Sequence, residues 1–406
     1  MRKDGGLLNK KVPLGATLAL IIITIALTVS VTMVIAMRQF NSTMSDVGQR
    51  QVMFEYITDI DKTVRQHYAG TIDEEKLRAA LTKGYVEGIG DPYAAYFTAA
   101  EYQRENDRMA GTHSGLGLEL ALTSQGQIRI SRVHAESSAE RAGVQKGDVL
   151  TAVDGEAVSA EGYETLKSRL ESASRVILTI QREDQSIAFE LSPSPYQTDS
   201  VEGRLIGSTG YIRITEFHSL TADQFKAVYD DLSAQGAQNY VFDLRGNPGG
   251  MLSSVTPLLE YLMPRGVYAR KTDNTGTVTD LIDTDNYQMD LPSVTLVDSD
   301  TAGEAELFAG VLQEFGKTTV IGEQTSGRGL TQEYFTISSD GAAVKLSTCQ
   351  MSLVTGGSFD GTGITPQTVV GLTEEQKANF AFLEDSGDPQ LQAALTALES
   401  MSAQAG

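Results

Sequence analysis

The apolar and polar positions divide the chain into one long apolar run, a helical stretch and two regions in which short strands and helices alternate. Residues 12–37 carry no charged side chain and exceed the roughly 20 residues that cross a bilayer. Basic residues outnumber acidic ones before this run, so the positive-inside rule places the N-terminus in the cytoplasm. We therefore expect a cytoplasmic tail over 1–11, a single transmembrane anchor over 12–37 and the remaining domains outside the cytoplasm. A cleaved signal peptide is the alternative, but its apolar region is typically shorter.

A helical segment is predicted over residues 45–108. Apolar residues recur at spacings of two to four from Val52 to Val64, which is typical of an amphipathic helix. A second helix is predicted over 73–86, with acidic residues in its first turn. The sequence Asp91-Pro92-Tyr93 then favours a turn with a packed aromatic side chain.

Residues 109–196 read as a compact module of short strands with one helix over 161–172. The run Ala-Gly-Val-Gln-Lys-Gly-Asp-Val at 142–149 resembles that of a bacterial PDZ domain. Such domains bind a peptide C-terminus as an added strand, with the carboxylate held by backbone N–H groups of a glycine-rich loop. The alternative is that these glycines only relieve a bulge. The predicted peptide-binding residues are Ser114, Gly115, Leu116, Gly117 and Leu118.

Residues 197–375 alternate strands and helices, which predicts an α/β core with a parallel or mixed sheet. The apolar strand 240–244 runs into the glycine-rich turn 245–250 and then into a helix. Backbone N–H groups at such a turn point at an anion, and the anion in view is the oxyanion of acyl transfer. The polar segment 270–290 is predicted to be a loop, and residues 376–406 a helical tail.

Several motifs in one order resemble those of the C-terminal processing peptidases, also called tail-specific proteases. They are Gly90-Asp91-Pro92-Tyr93, the PDZ module, the turn 243–250, the helix containing Glu306, and the segments 322–325 and 361–366. The resemblance implies an α/β (α+β) fold with a crotonase-like peptidase core and an inserted PDZ domain. It also implies a serine nucleophile, a lysine base and substrates recognised near a free C-terminus.

Both reacting positions of that family are substituted in this sequence. The nucleophile stretch reads Thr-Ala-Gly-Glu-Ala-Glu at 301–306, so Gly303 stands where the family has its serine. The base triplet reads Gly-Arg-Gly at 327–329, so Arg328 replaces the lysine, whereas the assisting Gln332 is retained. The resemblance implies Gly249, Gly250 and the backbone of Glu304 as the oxyanion site.

These substitutions remove the chemistry of a serine–lysine mechanism. Glycine has no side chain that could attack a carbonyl, and arginine stays protonated in proteins. Loss of the nucleophile costs a serine hydrolase on the order of 10⁶ in turnover. A carboxylate at Glu304 further disfavours developing negative charge. Thr301 and Ser299 are the nearby hydroxyls, but a misplacement of about 1 Å costs about 10²-fold.

Composition narrows the classes of partner and cofactor. The formal net charge of -21 and the absence of a basic stripe argue against nucleic-acid binding. The single cysteine, Cys349, and four histidines without metal-ligand spacing indicate neither a disulfide nor a metal site, and no cofactor is expected.

The sequence thus predicts a membrane-anchored pseudopeptidase that binds polypeptide C-termini or a partner envelope protein. It leaves a homodimer open. The alternative is an active serine-type or threonine-type endopeptidase that uses a displaced hydroxyl as its nucleophile.

Overall fold

The computed structural model describes residues 14–284, 291–337 and 340–405. The predicted tail 1–11 and the first residues of the predicted anchor lie outside the described residues. Within the described part of the chain, no helix combines the length and apolarity that crossing a bilayer requires. The anchor therefore stays a prediction.

The chain divides into two units, Met1–Arg78 and Ala79–Gly406. Helices dominate the N-terminal segment, as predicted. Val52, Phe54 and Ile60 of its first helix are exposed, although their spacing suggested a packed face. The elements up to the PDZ module are α1 (Leu14–His67), α2 (Glu74–Glu87), β1 (Ala95–Phe97) and α3 (Ala99–Met109).

The next ten elements form the PDZ module. Its antiparallel sheet has the strand order β3-β4-β5-β7-β8, so β3 lies at an edge. Its core contains Ile130, Leu150, Leu178 and Ile180, all fully or almost fully buried. The bounds are β2 (Thr112–Gly115), β3 (Leu118–Leu122), β4 (Ile128–Val133), α4 (Ser138–Ala142), β5 (Val149–Val153), β6 (Glu156–Ala157), α5 (Tyr163–Ser172), β7 (Val176–Arg182), β8 (Gln185–Leu191) and β9 (Ser194–Gln197).

The remaining elements form the α/β core, in which strands and helices alternate as predicted. Short 3₁₀ turns over Phe380–Phe382 and Asp385–Gly387 precede the last helix. The bounds are β10 (Val201–Ile206), β11 (Thr209–Ile214), α6 (Thr221–Ala234), β12 (Asn239–Asp243), α7 (Leu252–Leu262), β13 (Gly266–Asp273), β14 (Val278–Thr284), β15 (Ser293–Val297), α8 (Glu304–Glu314), β16 (Thr319–Gly322), β17 (Leu330–Thr336), β18 (Ala343–Leu353), β19 (Gly357–Ser358), β20 (Thr368–Val369), α9 (Glu374–Ala378) and α10 (Pro389–Ala405).

The central sheet of the core has the order β10-β11-β12-β15-β16-β20 and is parallel except for β10. Both of its faces are covered, which explains why β12 and β15 are apolar almost throughout. Phe242 of β12 packs with α6, α7 and α8 on one face. Its neighbour Val241 packs with Leu391 and Leu398 of α10 on the other. The carboxyl ends of β12 and β15 lead directly into the turns at 245–250 and 298–303.

The polar segment predicted as a loop over 270–290 is in part a β-hairpin, so that prediction was wrong. Strands β13 and β14 pair antiparallel and join a second sheet through β18. Arg270 and Asp280, which made the segment look solvent-exposed, form a cross-strand ion pair at 3.1 Å. Polar side chains on an antiparallel strand are compatible with pairing when one face meets water. Residues 285–290 lie outside the described residues.

Helix α10 is fastened to the central sheet by a buried ion network. Arg245 is 2% exposed and donates to Asp243 at 2.6 Å and to Gln390 at 2.9 Å. It also forms an ion pair with Asp388, which caps α10. The charge of Arg245 and its hydrogen bonds outweigh burial and hold the pKa of Asp243 at about 2.

Candidate functional site

The carboxylate of Glu306 is hydrogen-bonded to both segments that correspond to the family's reacting residues, 301–306 and 327–329. This carboxylate is fully buried in the first turn of α8. It accepts hydrogen bonds from the Gly303 N–H at 2.9 Å and the Thr325 hydroxyl at 2.5 Å. It also accepts from the N–H groups of Gly327 at 2.7 Å and Arg328 at 2.8 Å. The structure therefore brings positions 303 and 328 together.

Gly303 adopts a backbone conformation that only glycine enters freely. Its φ is 59° and its ψ is -118°, and an L-residue there is strained. A Cβ atom at this position would lie 2.9 Å from Nη2 and 3.1 Å from Nε of Arg328. The guanidinium thus occupies the space into which a nucleophile side chain would project.

Arg328 is held by the turn 245–250 and by an aromatic ring. Its Nη2 donates to the carbonyl oxygen of Pro248, and its Cζ lies 5.8 Å from the ring centroid of Tyr93. Asp91 fixes this ring by accepting from the N–H groups of Tyr93 at 2.9 Å and Ser347 at 3.0 Å. The sequence predicted only a turn with a packed aromatic here, and the structure places that aromatic at the site.

The side chain of Glu304 lies on the predicted oxyanion site. It is 7% exposed, and its Oε2 accepts from the Gly250 N–H at 2.8 Å. Its own backbone N–H also contributes to holding the carboxylate. Burial raises the pKa of the Glu304 carboxyl, although the Gly250 hydrogen bond and the charge of Arg328 oppose that rise. A carboxylate therefore sits where a developing oxyanion would need to bind.

Gly249 and Gly250 make different contacts, although the resemblance paired them. The Gly249 N–H donates to Oδ1 of Asn247 at 2.8 Å, and Nδ2 of that asparagine donates to the Ile214 carbonyl at 2.9 Å. The Gly249 N–H is therefore engaged within the turn. Gly250 has a φ of 144° and touches the backbone of Phe217, so a side chain there would clash.

The side chains of Gln332 and Thr301 differ in their hydrogen bonding. Nε2 of Gln332 is buried and has no hydrogen-bond partner among the described residues. Thr301 is fully buried, and its hydroxyl lies 3.0 Å from both the Leu244 carbonyl and the Asp298 carboxylate. Ser299, by contrast, is exposed.

A second candidate site is the groove of about 750 Å³ between β3 and α5 of the PDZ module. The predicted loop residues Ser114 to Leu118 all line it. Gly117 has a φ of 78°, and a Cβ atom there would overlap the side chain of Ser137. The other end of the groove is marked by the Tyr163 hydroxyl, which donates to the Leu120 carbonyl at 2.7 Å. An edge strand beside a helix can accept one further strand.

A mixed α/β core with glycine-rich turns after its strands and an attached PDZ module defines a peptidase-like class of protein. Residues 208–370 match the model of peptidase family S41, and residues 129–182 match that of the PDZ domain. Residues 208–370 therefore form a peptidase S41 domain and residues 129–182 a PDZ domain, and the chain is similar to CtpA-like serine proteases.

The matching proteins agree with this assignment. A probable CtpA-like serine protease of Staphylococcus haemolyticus is 28% identical over 88% of this chain and 72% of its own length. A probable CtpA-like serine protease of Staphylococcus aureus is also 28% identical, over 89% of this chain and 74% of its own. A putative S41 protease of Bacteroides fragilis has a TM-score of 0.61 at 19% identity, covering 85% of this chain and 97% of its own. This last likeness concerns the fold alone.

Proposed function

We propose that the protein is a catalytically inactive member of the family that binds polypeptide C-termini through its PDZ module. The observation that carries the proposal is the hydrogen bond from the Gly250 N–H to Glu304. This internal carboxylate competes with any substrate oxygen for the predicted oxyanion donor. With no side chain at Gly303 and a permanent cation at Arg328, the cleft has neither nucleophile nor base.

The contacts of the neighbouring hydroxyls favour this proposal over an endopeptidase with a displaced nucleophile. The Thr301 hydroxyl lies within hydrogen-bond distance of two acceptors and also accepts from the Asp298 N–H at 3.0 Å. A nucleophilic hydroxyl must instead point at a substrate and at a base. The charged Arg328 near this turn cannot serve as that base.

The PDZ groove supports binding of a C-terminus. Strand β3 pairs on one side with β4 and is an edge of its sheet, so its other side meets no strand among the described residues. The Leu120 carbonyl accepts from Tyr163, and a peptide strand that reached this position would displace that hydrogen bond. The cations Arg104 and Lys167 line the groove together with the predicted carboxylate loop, and Glu119 and Glu171 line it as well. A free carboxylate is favoured by backbone N–H groups in a loop and by nearby cations.

The location and assembly of the protein extend the same proposal. An anchor over 12–37 would hold the PDZ module outside the cytoplasm, where envelope proteins expose their C-termini. Protease protection of a C-terminal tag in spheroplasts would report the orientation directly. The proposal leaves open a homodimer formed through the helical segment 45–108, which sedimentation of the purified chain would detect.

The binding test uses the full chain and a fluorescein-labelled decapeptide with an apolar last residue. The free acid is expected to bind at least about tenfold more tightly than its C-terminal amide, because the amide cannot accept the same charge-assisted hydrogen bonds. Equal affinities for acid and amide would exclude carboxylate recognition.

Matched glycine variants locate the binding. Gly117→Asp should abolish binding because it fills the loop with a side chain and a negative charge. Gly155→Asp is the control, since Gly155 also has a positive φ but has open space around it. If the Gly117 variant misfolds, the comparison of acid and amide binding to the wild type still decides.

The activity test is reaction with a fluorophosphonate probe. An inactive cleft should not react with the probe, whereas a displaced nucleophile should.

A further inference from the structure

A second cavity lies between the PDZ module and the core. None of its lining residues belongs to the turns 245–250 and 298–303, and it shares Glu119 with the wall of the PDZ groove. Its volume is about 540 Å³, and strands β4 and β11 and the segment around Ala381 contribute to its wall. The side chains that line it include Arg132, Lys146 and Arg213, together with carboxylates from both domains. Any ligand in this cavity would contact the PDZ module and the core at once.

Arg213 is the unusual residue of this cavity. Its Cζ lies 4.9 Å from the ring centroid of Phe380, so the guanidinium is held against an aromatic ring. Its Nε is buried and has no hydrogen-bond partner. Among the described residues, none of the guanidinium nitrogens is paired with an acceptor. Strand β11 otherwise buries five of its six positions, which makes an arginine in it costly unless a partner compensates the charge.

The carboxylate opposite Arg213 is engaged elsewhere. Glu202 faces it across the β10–β11 pair, yet Glu202 forms its ion pair with Arg132 of the PDZ module. Glu119 lies within electrostatic range of Arg213, whose charge contributes to lowering the pKa of that carboxyl. Glu119 is itself hydrogen-bonded to His134 at 3.1 Å.

The other acidic side chains of the cavity also have protein partners. Glu140 accepts from the Glu136 N–H at 2.7 Å, and Asp199 accepts from the Gln224 amide at 3.3 Å. Lys146, by contrast, forms no ion pair with any described residue. Among the charged side chains that line the cavity, Arg213 and Lys146 are therefore the two without a hydrogen-bond partner in the described part of the chain.

We propose that this cavity binds a small anion with two coplanar oxygens, a carboxylate or a phosphate, through Arg213 with Lys146. A guanidinium fork matches such a group by two parallel hydrogen bonds, and stacking on Phe380 fixes its plane in advance. The bound anion would satisfy the buried Nε–H of Arg213. Because it would touch both domains, its binding would stabilise their mutual packing and raise the melting temperature.

The test measures binding of succinate and inorganic phosphate to the full chain by calorimetry, with sodium chloride at equal ionic strength as the reference. Arg213→Ala is expected to weaken the preferred anion by at least about tenfold, the loss of one bidentate charge-assisted contact. Arg204→Ala is the matched control, since this arginine on β10 stacks on Tyr211 and pairs with Asp385 outside the cavity.

Arg213→Lys keeps the charge but loses the fork, so it should bind more weakly than the wild type. If Arg213→Ala does not fold, the anion affinity of Arg213→Lys is compared with that of the wild type instead. Tighter binding of succinate assigns a carboxylate, and tighter binding of phosphate assigns a phosphate. Unchanged affinity in both Arg213 variants, or a wild-type response to either anion no larger than to chloride, would overturn the proposal.

Discussion

Placing a serine at position 303 and a lysine at position 328 should not be enough for full peptidase activity, because the Glu304 carboxylate accepts the hydrogen bond of the Gly250 N–H at the proposed oxyanion site. The double variant Gly303→Ser, Arg328→Lys supplies a nucleophile and a base. It also removes the guanidinium that lies 2.9 Å from the position of a new Cβ atom. The Gly250 N–H nevertheless remains bonded to the Glu304 carboxylate at 2.8 Å. We therefore expect the triple variant with Glu304→Ala to be markedly faster than the double variant.

The expected ratio of turnover between the triple and double variants follows from the contribution of one oxyanion hydrogen-bond donor to catalysis. Removal of such a donor lowers turnover by about 10²–10³, which corresponds to about 2.7–4 kcal/mol. Glu304 occupies one donor, the Gly250 N–H. Its negative charge would also repel a developing oxyanion, which an alanine side chain would not do. The triple variant should therefore exceed the double variant by roughly 10²-fold or more. Backbone strain from the new side chain at position 303 applies to both variants and cancels in the comparison.

The assay is hydrolysis of a quenched fluorescent peptide with a free C-terminus, followed by titration with a fluorophosphonate probe. Glu314→Ala in the double background is the matched control. Glu314 lies on the same helix and likewise accepts backbone N–H groups, those of Thr355 at 2.7 Å and Gly356 at 2.8 Å. Equal rates for the double and triple variants would refute the assignment of Glu304 as the group that blocks the site.

Two further predictions concern stability. Arg245→Ala should lower the free energy of unfolding by about 3–5 kcal/mol, because it leaves the buried carboxylates of Asp243 and Asp388 uncompensated. Urea unfolding measures this loss. The control is Arg204→Ala at an exposed arginine, which should cost about 1 kcal/mol or less. Glu304→Gln should stabilise the protein at neutral pH. In the wild type the folded-state pKa of the Glu304 carboxyl is raised. The wild type therefore loses stability as the pH rises above the ordinary pKa of glutamate. The difference between the two proteins should vanish below about pH 4, and thermal melts that show the same difference at pH 4 and pH 7 would contradict this account.

The central sheet could be predicted because its strands are buried on both faces. The run at 293–297 has no charged residue and ends in a turn, and its predicted bounds match β15. The hairpin β13–β14 was missed because polar and charged residues dominate it and its few buried apolar positions, such as Ala269 and Ile282, follow no regular alternation.

The side-chain arrangement of the site was harder to predict than its location. The motifs indicated which positions correspond to the family's reacting residues, but the contact of Glu304 with Gly250 joins residues 54 positions apart in the sequence. Nothing in the local sequence fixes the direction of that side chain. One sequence feature points to the second cavity: Arg213 is a charged residue inside the otherwise apolar strand Tyr211-Ile212-Arg213-Ile214.

The contacts of Glu306 explain how a peptidase scaffold can keep its shape after both reacting residues are exchanged. Three of its four hydrogen bonds come from backbone N–H groups, those of Gly303, Gly327 and Arg328. A backbone donor does not depend on the side chain attached to it, so substitutions at 303 and 328 leave these bonds in place. The exchanged side chains add the Arg328 contact with Pro248, which a shorter lysine would have to make differently. Under the proposed function, this buried framework holds positions 303 and 328 together without a serine or a lysine side chain.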